Sequence, residues 1–453
     1  MPDFTALSDR IDGQLLTASD AQFSDAVAGF NTVAVQSPDA VVTATTADHV
    51  VEAVRFAREH RLPVRVQATG HGAVDPARSG ILINTSGLDA LSIDAQTRIA
   101  TIGAGVRWVA VVELAAPLGL APIAGSSTNV GVVGLVTGGG LGPLSRSHGF
   151  AADYVRGFTV VTGQGELVEA TADDNAELFW ALRGGKGGLG IVTEVRIELV
   201  ELSELYAGTL FFEEQHIEQA LRHWVDWTAD AADDVTTSAG IYRLPPFEFI
   251  PEPLRGRTLL AIHFAYPGSI AEGERLAEPL RTAAPVYLDY LGALPVGQIA
   301  TIHNDPTEPG PGWDRGMLLS AIDQDFATAL LRVAGSGVEL PMLLAEVRHL
   351  GGATQRDVVG GSAVGGRASG FTFTLIGAPN PVLFGEVLPA VSDRLVTAIT
   401  PWLSAETNIN FAGAARSAEH FASAWPADTF ARLASVRAEY DPDGIFPYGP
   451  QAG

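Results

Sequence analysis

The chain has 453 residues, enough for two or three domains, and 47% of them are hydrophobic. Its 28 basic and 52 acidic residues give a net charge of −24, which disfavours nucleic acid or an anionic membrane as partner because the overall field repels polyanions. The absence of cysteine excludes disulfides, thiolate nucleophiles and cysteine-held zinc or iron–sulfur sites, and Lys186, the single lysine, is the only residue available for Schiff-base chemistry.

The beginning of the sequence lacks the basic flank and apolar core of a signal peptide, and no stretch offers about 18 uninterrupted apolar residues for a membrane span. We therefore expect a soluble, cytoplasmic protein. The ten histidines form no H-x-x-x-H or H-E-x-x-H pair, and there is no G-x-S-x-G motif, so neither a metal site nor a serine hydrolase is predicted.

Residues 33–203 alternate between short strands and helices. A β-branched strand at 41–44 is followed by a helix that begins at Thr45 or Thr46 and carries an apolar stripe. A strand at 64–66 then runs into the glycine-flanked segment at 68–72. The remaining elements predicted here are strands at 81–83, 91–93, 99–102, 157–162, 165–170 and 191–199, and helices at about 106–117 and 173–182.

The segment Gly185–Gly190 matches the dinucleotide pattern G-x-G-x-x-G, but the order of its flanking elements is inverted. A dinucleotide site needs a strand before the glycines and a helix after them, so that the pyrophosphate caps the helix. Here a helix precedes and a strand follows, so we reject a Rossmann site. A tight helix-to-strand corner and a backbone contact to phosphate or adenine remain as alternatives.

From about residue 204 the pattern changes to longer helices, such as 214–229, and alternating strands, such as 259–264 and 371–376. This pattern predicts a second domain, an antiparallel sheet with helices on one face. A further strand is predicted near 407–411. Glu346, Arg348 and His349 are interpreted as an ordinary strand with exposed polar residues.

Two motifs are suited to a large ligand. In Gly70-His71-Gly72 the glycines leave backbone amides free for an anion and allow close approach, and the imidazole follows a buried strand. The stretch 125–142, with Ser126-Ser127-Thr128-Asn129 and Gly138-Gly139-Gly140, supplies hydroxyls and amides without a basic residue, which suits a diphosphate bound by neutral dipoles. A surface-turn histidine and a polar loop beside a close-packed glycine corner are the alternatives.

In this order and spacing, together with Leu182–Gly185, Gly190–Glu194 and Tyr440–Asp443, the motifs resemble the berberine-bridge-enzyme-like branch of the vanillyl-alcohol oxidase/p-cresol methylhydroxylase (PCMH) flavoprotein superfamily. The resemblance covers residues 30–203 and the last 50 or so. It implies a two-domain α+β fold of the PCMH type: an FAD-binding domain of two α+β subdomains over 1–203, an antiparallel-sheet substrate domain over 204–400, and a segment, 401–453, that returns to the FAD domain.

The resemblance implies an FAD held by one covalent bond between its 8α-methyl carbon and His71. Many relatives have a second bond from a cysteine, but the matching position here is Ser127. Val130 matches the gate for oxygen access, where a small side chain is associated with oxidase behaviour. The cofactor-binding residues implied are Gln67, Ala68, Thr69, Gly70, His71, Gly72, Gly125, Ser126, Ser127, Thr128, Val130, Gly131, Gly134, Gly138, Gly139, Gly190, Ile191, Val192 and Asn410.

The chemistry implied is hydride transfer from a substrate carbon to flavin N5, loss of a neighbouring proton, and reoxidation by O2. The substrate is expected to be a small amine, secondary alcohol or natural-product intermediate. A dehydrogenase with another acceptor and a flavin-carrying binding protein are the alternatives. Relatives carry a tyrosine base where this chain has Asn408-Ile409-Asn410-Phe411, so the base is open among Asn410, Thr374, Tyr242 and His303; candidates for the pocket wall are Trp313, His303, Tyr242, Arg348 and Arg367.

Overall fold

A computed structural model describes residues 3–12, 14–72, 76–248, 250–413 and 417–448. In these residues the strands are β1 Leu15–Leu16, β2 Ala40–Thr43, β3 Val64–Gln67, β4 Ile81–Asn84, β5 Leu91–Asp94, β6 Ile99–Gly103, β7 Leu120–Ala121, β8 Val155–Val161, β9 Leu167–Ala170, β10 Ile191–Glu198, β11 Val200–Glu201, β12 Glu204–Glu213, β13 Thr236–Arg243, β14 Thr258–Tyr266, β15 Leu288–Asp289, β16 Gly292–Pro295, β17 Asp314–Leu319, β18 Met342–His349 and β19 Phe371–Gly377.

The α-helices are α1 Thr5–Arg10, α2 Phe23–Val27, α3 Ala47–His60, α4 Trp108–Ala115, α5 Val132–Val136, α6 Ser145–His148, α7 Ala176–Leu182, α8 Ile217–Thr228, α9 Ile270–Arg281, α10 Gln324–Ala334, α11 Val387–Ala398, α12 Ala418–Ala422 and α13 Ala427–Tyr440. Short 3₁₀ helices occupy Ala116–Leu118, Ala151–Tyr154, Glu214–His216, Val296–Ile302, Gly352–Gln355, Pro381–Leu383 and Thr400–Trp402. None of the described helices is both long and apolar enough to cross a bilayer.

Two sheets form the first part of the chain. One has the order β1-β2-β4-β3, in which β2, β4 and β3 are parallel and β1 is antiparallel to β2. The other is antiparallel, with the order β5-β6-β10-β8-β9. Helix α3 begins at Thr46, whose side chain accepts a hydrogen bond from the His49 amide, as an N-cap residue does. Its buried face packs over the first sheet, and β3 therefore delivers the chain to His71 at a fixed place.

An eight-stranded antiparallel sheet follows, with the order β15-β12-β14-β13-β18-β19-β17 and β16 pairing beside β15 on β12. Helices α8, α9, α10 and α11 cover one face of this sheet, and their apolar side chains join the core around Trp224, Phe264, Phe326 and Phe373. The sequence-based expectation of an antiparallel sheet with helices on one face is confirmed. Its other face is polar and lies against the first part of the chain.

The polar face is built from cross-strand neighbours. One row runs across five strands, since Thr209 pairs with His263, His263 with Ser238, Ser238 with Arg348, and Arg348 with Thr372. The next row contains Gly240, Glu346, Thr374 and Gly316. Side chains alternate between the two faces of a strand, so these residues all point away from the helices.

The expectation that Glu346, Arg348 and His349 are exposed is wrong. Glu346 is 0% exposed, and the Arg348 Nε donates to its Oε2 at 2.7 Å. The physical reason is that the sheet's polar face is covered by another part of the protein. The alternation of polar and apolar residues along β18 indicates that the strand has one polar and one apolar face. It does not indicate whether the polar face is exposed to solvent.

The strand expected near 407–411 is also absent. These residues form a turn, in which the Phe411 amide donates to the Asn408 carbonyl at 2.9 Å and the Asn410 amide donates to Asn408 Oδ1 at 3.0 Å. An asparagine side chain that binds the backbone two residues later competes with strand pairing. The turn places Asn410 beside α5 instead of along a strand.

The predicted helices at 106–117 and 173–182 are shorter in the structure. The first is α4 followed by the 3₁₀ turn at 116–118. The second begins only at Ala176, because Thr171 Oγ1 accepts hydrogen bonds from the Asp173 and Asp174 amides and folds those residues into a turn.

Arg146, in α6, joins the glycine-rich segment to the large sheet. It is 3% exposed, and its guanidinium donates from Nε to the Val235 carbonyl at 2.7 Å, from Nη2 to the Ala232 carbonyl at 3.1 Å, and from Nη1 to the Leu350 carbonyl. His349 Nε2 lies 3.0 Å from Nη1. A single buried cation therefore satisfies backbone carbonyls from two separate stretches of the sheet.

Replacing Arg146 by Met should destabilise the fold strongly, because it leaves several buried carbonyls without a donor, at about 1–3 kcal/mol each. We expect a loss of about 3 kcal/mol or more in the free energy of unfolding, measured by urea titration. Arg156→Met is the control: this exposed arginine pairs with Glu198 on the surface, where a pair contributes about 0–1 kcal/mol. Equal losses in the two variants would contradict the role given to Arg146.

Candidate functional site

A cradle of glycines and small polar residues forms where β3 ends. The segment after β3 lies beside the loop 125–131, since a Cβ on Gly131 would stand 3.5 Å from Thr69 Cγ2. Gly70 has φ +72°, and a Cβ there would approach the Gly29 Cα to 2.6 Å, so only glycine fits. At Gly72 and Gly134, no atom of the described residues lies within 4 Å of a Cβ position, so both backbones border open space.

His71 presents one free nitrogen in this cradle. Its ring stacks on Phe30 at 3.7 Å between centroids, and Nδ1 lies 2.8 Å from Thr69 Oγ1. Nε2 is buried without a hydrogen-bond partner among the described residues, which is unusual for a polar atom. Burial, together with the Arg107 guanidinium, lowers the pKa of His71 to about 4. The imidazole is therefore neutral at physiological pH, and a lone pair is available on one nitrogen.

The loop 125–131 offers further unused groups. The hydroxyls of Ser126, Ser127 and Thr128 make no hydrogen bond within the described ranges and are half-buried. The backbone of the loop is held in place, because the Val109 amide donates to the Thr128 carbonyl at 2.7 Å and the Trp108 amide to the Val130 carbonyl at 3.1 Å. The loop is thus fixed, while the three hydroxyls at 126–128 make no hydrogen bond to described residues.

Asn410 and Lys186 close the cradle on the side of α5. Asn410 Nδ2 donates to the Leu135 carbonyl at 2.9 Å, and Lys186 Nζ donates to Asn410 Oδ1 at 2.7 Å and to the Gly134 carbonyl at 2.5 Å. A Cβ on Gly138 would clash with the Asn410 side chain. Burial lowers the pKa of Lys186 to about 8. Within the part of the chain that is described, no carboxylate forms an ion pair with this lysine.

Other residues implied as cofactor contacts have structural roles. The Gln67 side chain is used internally, since Nε2 donates to the Ala28 carbonyl at 2.9 Å and Oε1 accepts from Gln36 at 3.0 Å. Ile191 and Val192 are buried in β10, paired with β8. Gly190 has φ +129°, and a Cβ there would stand 2.6 Å from Val160 Cγ1. A Cβ on Gly125 would meet the Leu135 side chain, and one on Gly139 would meet Phe150 and Val364, so both glycines are needed for close packing. The Ala68 methyl lies 3.6 Å from the position of a Cβ on Gly131.

The polar face of the large sheet lies opposite the cradle. Phe411, which follows Asn410, packs against the sheet beside Gly316, and the Arg348 guanidinium lies 5.7 Å above its ring. A small cavity is lined by Leu141, Gly142, Pro143 and Ser145 on one side and by sheet residues that include Ser238, His263 and Arg348 on the other. Thr372 Oγ1 and Thr374 Oγ1 are buried and have no described partner. The two parts of the chain therefore enclose unsatisfied polar groups between them.

The stretch 303–313 spans the gap beside His71. The Gly310 amide donates to the Phe30 carbonyl at 3.0 Å, and the Thr32 amide donates to the Gly310 carbonyl at 3.1 Å. Asn129 Nδ2 donates to the Thr307 carbonyl at 2.8 Å. This stretch therefore ties the large sheet to both cradle segments and brings His303 and Asp305 to the edge of the polar face.

A group of ionisable side chains occupies the centre of that face. Burial raises the pKa of Glu346, but Arg348, His263 and hydrogen bonds outweigh it, so its pKa lies below the usual value. Burial lowers the pKa of His263, and burial, His263 and Arg348 lower that of His303 well below its usual value. Burial and the Glu346 and Asp305 carboxylates raise the pKa of Tyr242 well above its usual value. At neutral pH, Glu346 and Arg348 are charged, while Tyr242 and both histidines are neutral.

His263, His303 and Glu346 offer ligand atoms within 4.8 Å of one another, the types of ligand that bind divalent metals. Their other contacts oppose such a site. Glu346 is already engaged by Arg348 and by Ser238 at 2.8 Å, and both nitrogens of His263 have neighbours, Thr209 at 2.9 Å and Tyr242 at 3.4 Å. We therefore retain the sequence-based expectation of no metal here as a prediction.

The residues proposed from sequence for the base and the pocket wall divide into two groups. Tyr242, His303, Arg348 and Thr374 lie together on the polar face, with Asn410 across from it. Arg367 does not, because its guanidinium binds Asp153 and Ser362, and Trp313 packs on the apolar core of the sheet. Sequence reasoning missed Thr209, Ser238, His263 and Glu346. Ser238 and Glu346 lie in strands where polar residues recur at alternate positions, whereas Thr209 and His263 are single polar residues within apolar runs and give no such signal.

Comparison with known proteins identifies the fold and an FAD binding domain. A family described as FAD binding domain matches residues 38–171. The (R)-6-hydroxynicotine oxidase of Paenarthrobacter nicotinovorans is 34% identical over 195 residues, 42% of this chain and 42% of that protein. An FAD-linked oxidoreductase of Bacillus subtilis (strain 168) is 25% identical over 304 residues, 66% of this chain and 65% of that protein. The matched segments thus span less than two thirds of either relative.

Two solved structures share the whole fold. The 6-hydroxy-D-nicotine oxidase of Arthrobacter nicotinovorans superposes with a TM-score of 0.83 at 22% identity, covering 98% of both chains. The carbohydrate oxidase of Microdochium nivale superposes with a TM-score of 0.82 at 20% identity, covering 97% of this chain and 98% of that one. The chain therefore contains an FAD binding domain, is similar over part of its length to FAD-linked oxidoreductases, and shares its whole fold with these oxidases. The resemblance inferred from the motifs and the PCMH-type fold are both confirmed.

The cradle fits an FAD by its own chemistry. His71 Nε2 is a buried acceptor without a partner, Gly72 and Gly134 leave open space beside the backbone, and the free hydroxyls of 126–128 are donors suited to phosphate or ribityl oxygens. Lys186 adds one cation without a paired carboxylate.

The buried histidines make the stability of the protein sensitive to acid. Burial and Arg146 lower the pKa of His349 to about 3, and His71, His263 and His303 are lowered as well. An unfolded histidine titrates near 6.5, so the unfolded state binds more protons below that pH, and stability is lost as the pH falls from about 6.5 toward 3.

We expect His349→Gln to show a smaller loss of unfolding free energy than the wild type between pH 6.5 and 4, because Gln keeps an acceptor for Arg146 without titrating. Urea unfolding of both proteins at several pH values measures this difference. Because the two proteins have the same carboxyl groups, the contributions of those groups cancel when the variant is compared with the wild type at each pH. Identical pH dependence in the two proteins would show that His349 is not kept neutral by the fold.

Proposed function

We propose that this protein is an FAD-dependent oxidase that removes a hydride from a carbon of a small organic molecule: an amine, a secondary alcohol or a natural-product intermediate. The observation that carries the proposal is the enclosure of unsatisfied polar groups between a cradle that fits FAD and a polar sheet face. His71 Nε2 is unpartnered on one side, and Thr372 Oγ1 and Thr374 Oγ1 are unpartnered on the other. The relatives named as oxidases support the same reaction class.

Bound FAD would supply the hydride-accepting chemistry. The protein would hold the group through His71, the backbone at 70–72 and 131–134, the hydroxyls of 126–128, and Asn410. His71 would carry a single covalent bond through Nε2, since Nδ1 is engaged by Thr69 and the pKa of about 4 keeps the imidazole neutral. Ser127 provides no thiolate for a second bond.

The polar sheet face would bind the substrate. Tyr242 stays protonated and can donate a hydrogen bond, Arg348 can interact with a substrate oxygen, and the Thr372 and Thr374 hydroxyls can donate or accept. Because burial excludes water from these groups, each hydrogen bond to the substrate orients it more strongly than an exposed one would. Substrate carbon and cofactor would thus be held by opposite walls of one cleft.

A reaction test uses the purified protein under anaerobic conditions with a panel of amines, alcohols and phenols that begins with (R)-6-hydroxynicotine, the compound in one relative's name. Bleaching of the flavin absorbance by a panel member, followed by recovery of the colour in air with release of hydrogen peroxide, is the expected result. Colourless protein that does not take up FAD would refute the proposal. Bleaching without recovery in air would favour a dehydrogenase, and no bleaching would favour a flavin-carrying binding protein.

His71→Ala should convert the flavin from a covalently attached group to a dissociable one, because the described cradle offers no other imidazole and the Lys186 amine is engaged by the Gly134 carbonyl and Asn410. The flavin of the wild type should remain with the protein pellet after acid precipitation, and that of the variant should appear in the supernatant. His60→Ala is the control, since His60 lies at the end of α3 and bonds to the Phe56 carbonyl. Flavin that remains in the pellet of the His71 variant would disprove this attachment.

Val130→Leu tests the oxygen gate separately from substrate chemistry. The protein is reduced with dithionite and mixed with aerated buffer, and the return of the flavin absorbance is timed. We expect reoxidation to slow by about tenfold, a barrier increase of about 1.4 kcal/mol, because the larger side chain narrows access beside the cradle. Val109→Leu, on the outer side of α4 and 37% exposed, should leave the rate unchanged. Unchanged reoxidation in the Val130 variant would place oxygen entry elsewhere.

A further inference from the structure

We propose that Tyr242 and His263 form the proton-accepting pair of this site. Tyr242 takes a proton from the substrate O–H or N–H and passes its own proton to His263. This inference rests on the proposed oxidation reaction and assigns the step that sequence comparison leaves open, because the stretch 408–411 contains no group that can act as a base.

The hydrogen bonds around His263 fix its tautomer. The Thr209 hydroxyl donates to the Ile302 carbonyl at 2.7 Å, so its proton is already used. Its oxygen, 2.9 Å from His263 Nδ1, therefore accepts the Nδ1–H. The other ring nitrogen, Nε2, must then carry the lone pair of the neutral imidazole. His263 presents a proton acceptor on the side that faces Tyr242.

Tyr242 is positioned to use that acceptor. Its hydroxyl lies 3.4 Å from His263 Nε2, the long end of the hydrogen-bonding range, and the two rings meet edge to face at 80°. Distances between catalytic partners commonly shorten when a ligand binds. Gly240 leaves room for the ring, since a Cβ there would stand 2.9 Å from Tyr242 Cε2. In the part of the chain that is described, the hydroxyl has no other hydrogen-bond partner, so its oxygen is free to accept from a substrate.

The charges around the pair allow a transient positive charge on His263. Glu346 and Asp305 favour the protonated imidazole, while burial and Arg348 oppose it. His303 lies 4.2 Å away, ring to ring, and is neutral. The resting imidazole is thus unprotonated, as a base requires, and two carboxylates from different elements stabilise it once it accepts a proton.

Other groups on this face are less suited to the role. Thr374 and Asn410 do not titrate, and Glu346 is held by Arg348 and Ser238. His303 Nδ1 faces Glu346 Oε1 at 3.8 Å, and its pKa is lowered by both His263 and Arg348 as well as by burial. Tyr242 and His263 are the pair in which a donor and an acceptor are aligned.

The relay balances without an oxidant. The substrate O–H bond breaks as a new O–H bond forms on Tyr242, and the original O–H bond of Tyr242 breaks as an N–H bond forms at His263 Nε2. The substrate gains one negative charge and the imidazole one positive charge. No electrons are exchanged in the relay; the hydride departs in the oxidation step proposed above.

The first experiment uses 4-nitrophenol with the flavin-containing protein, because the neutral and ionised forms of this phenol absorb differently. At a pH below the dye's own pKa, the wild type should bind the ionised form. Tyr242→Phe and His263→Gln should lower the apparent ratio of ionised to neutral bound dye by about tenfold, one unit of apparent pKa. Tyr287→Phe, a tyrosine whose hydroxyl donates to the Pro253 carbonyl away from this face, is the matched control and should match the wild type. Failure of the wild type to ionise the dye, or ionisation in either variant equal to that of the wild type, would overturn the proposal.

The second experiment reads the tautomer directly, by ¹⁵N NMR of histidine-labelled protein with flavin bound. His263, assigned by the loss of its signals in His263→Gln, should show a protonated Nδ1 and an unprotonated Nε2, and Thr209→Val should shift this balance. A protonated Nε2 in the wild type would refute the relay even if the protein oxidises a substrate. If the purified protein binds no flavin, the proposed function is refuted. The tautomer of His263 can still be measured in that flavin-free protein, and it decides whether Nε2 is available to accept a proton from Tyr242.

Discussion

The buried guanidinium of Arg146 is the interaction on which the site depends. It projects from a short helix that follows the glycine-rich segment. Its N–H groups donate hydrogen bonds to backbone carbonyls in the connections of the large sheet. Gly351 has φ +93°, and a Cβ there would stand 2.9 Å from Arg146 Nη1, so the chain passes close to the charge only because this residue is glycine. A cation buried this deeply is tolerable because acceptors surround it, and their fixed positions set the distance between cradle and sheet.

That fixed distance explains why a polar surface is buried. A sheet packed tightly by side chains on both faces would be apolar on both, yet here five neighbouring strands bury a row of hydroxyl, imidazole and guanidinium groups. Burying polar groups without partners costs about 1–3 kcal/mol each, and Thr372 Oγ1, Thr374 Oγ1 and His71 Nε2 all lack described partners. Residues that destabilise the fold locally, such as buried polar groups without partners, are typical of functional sites. The unpartnered groups therefore mark the volume between the two walls as the place for ligands.

Sequence reasoning is most informative where the signal is local. In Gly70-His71-Gly72 and in the loop 125–131, the glycines and polar residues that suit a large ligand are adjacent in the sequence. Both segments could therefore be predicted as ligand contacts before the fold was known. The polar face could not, because Thr209, Ser238, His263 and Glu346 come from four strands that only the sheet order brings together. In β13 and β18 polar residues recur at alternate positions, but a buried and a solvated polar face look alike in sequence. Thr209 and His263 are single polar residues in apolar strands, so neither indicates a polar face. The turn at 408–411 was missed because an asparagine side chain replaced the expected strand pairing.

The distribution of charge shows how an acidic protein can bind an anionic cofactor. The net charge of −24 opposes any anion at long range, but in salt solution this field decays over about 8–10 Å, so the nearest groups decide. The segments 67–72, 125–142 and 184–190 contain no Asp or Glu, and they include the single lysine, whose ammonium is held by the Gly134 carbonyl and Asn410. The Glu346 and Asp305 carboxylates lie on the sheet side, where they favour a proton on His263. Negative charge is thus kept away from the wall that fits the cofactor and placed on the wall where a proton has to be accepted.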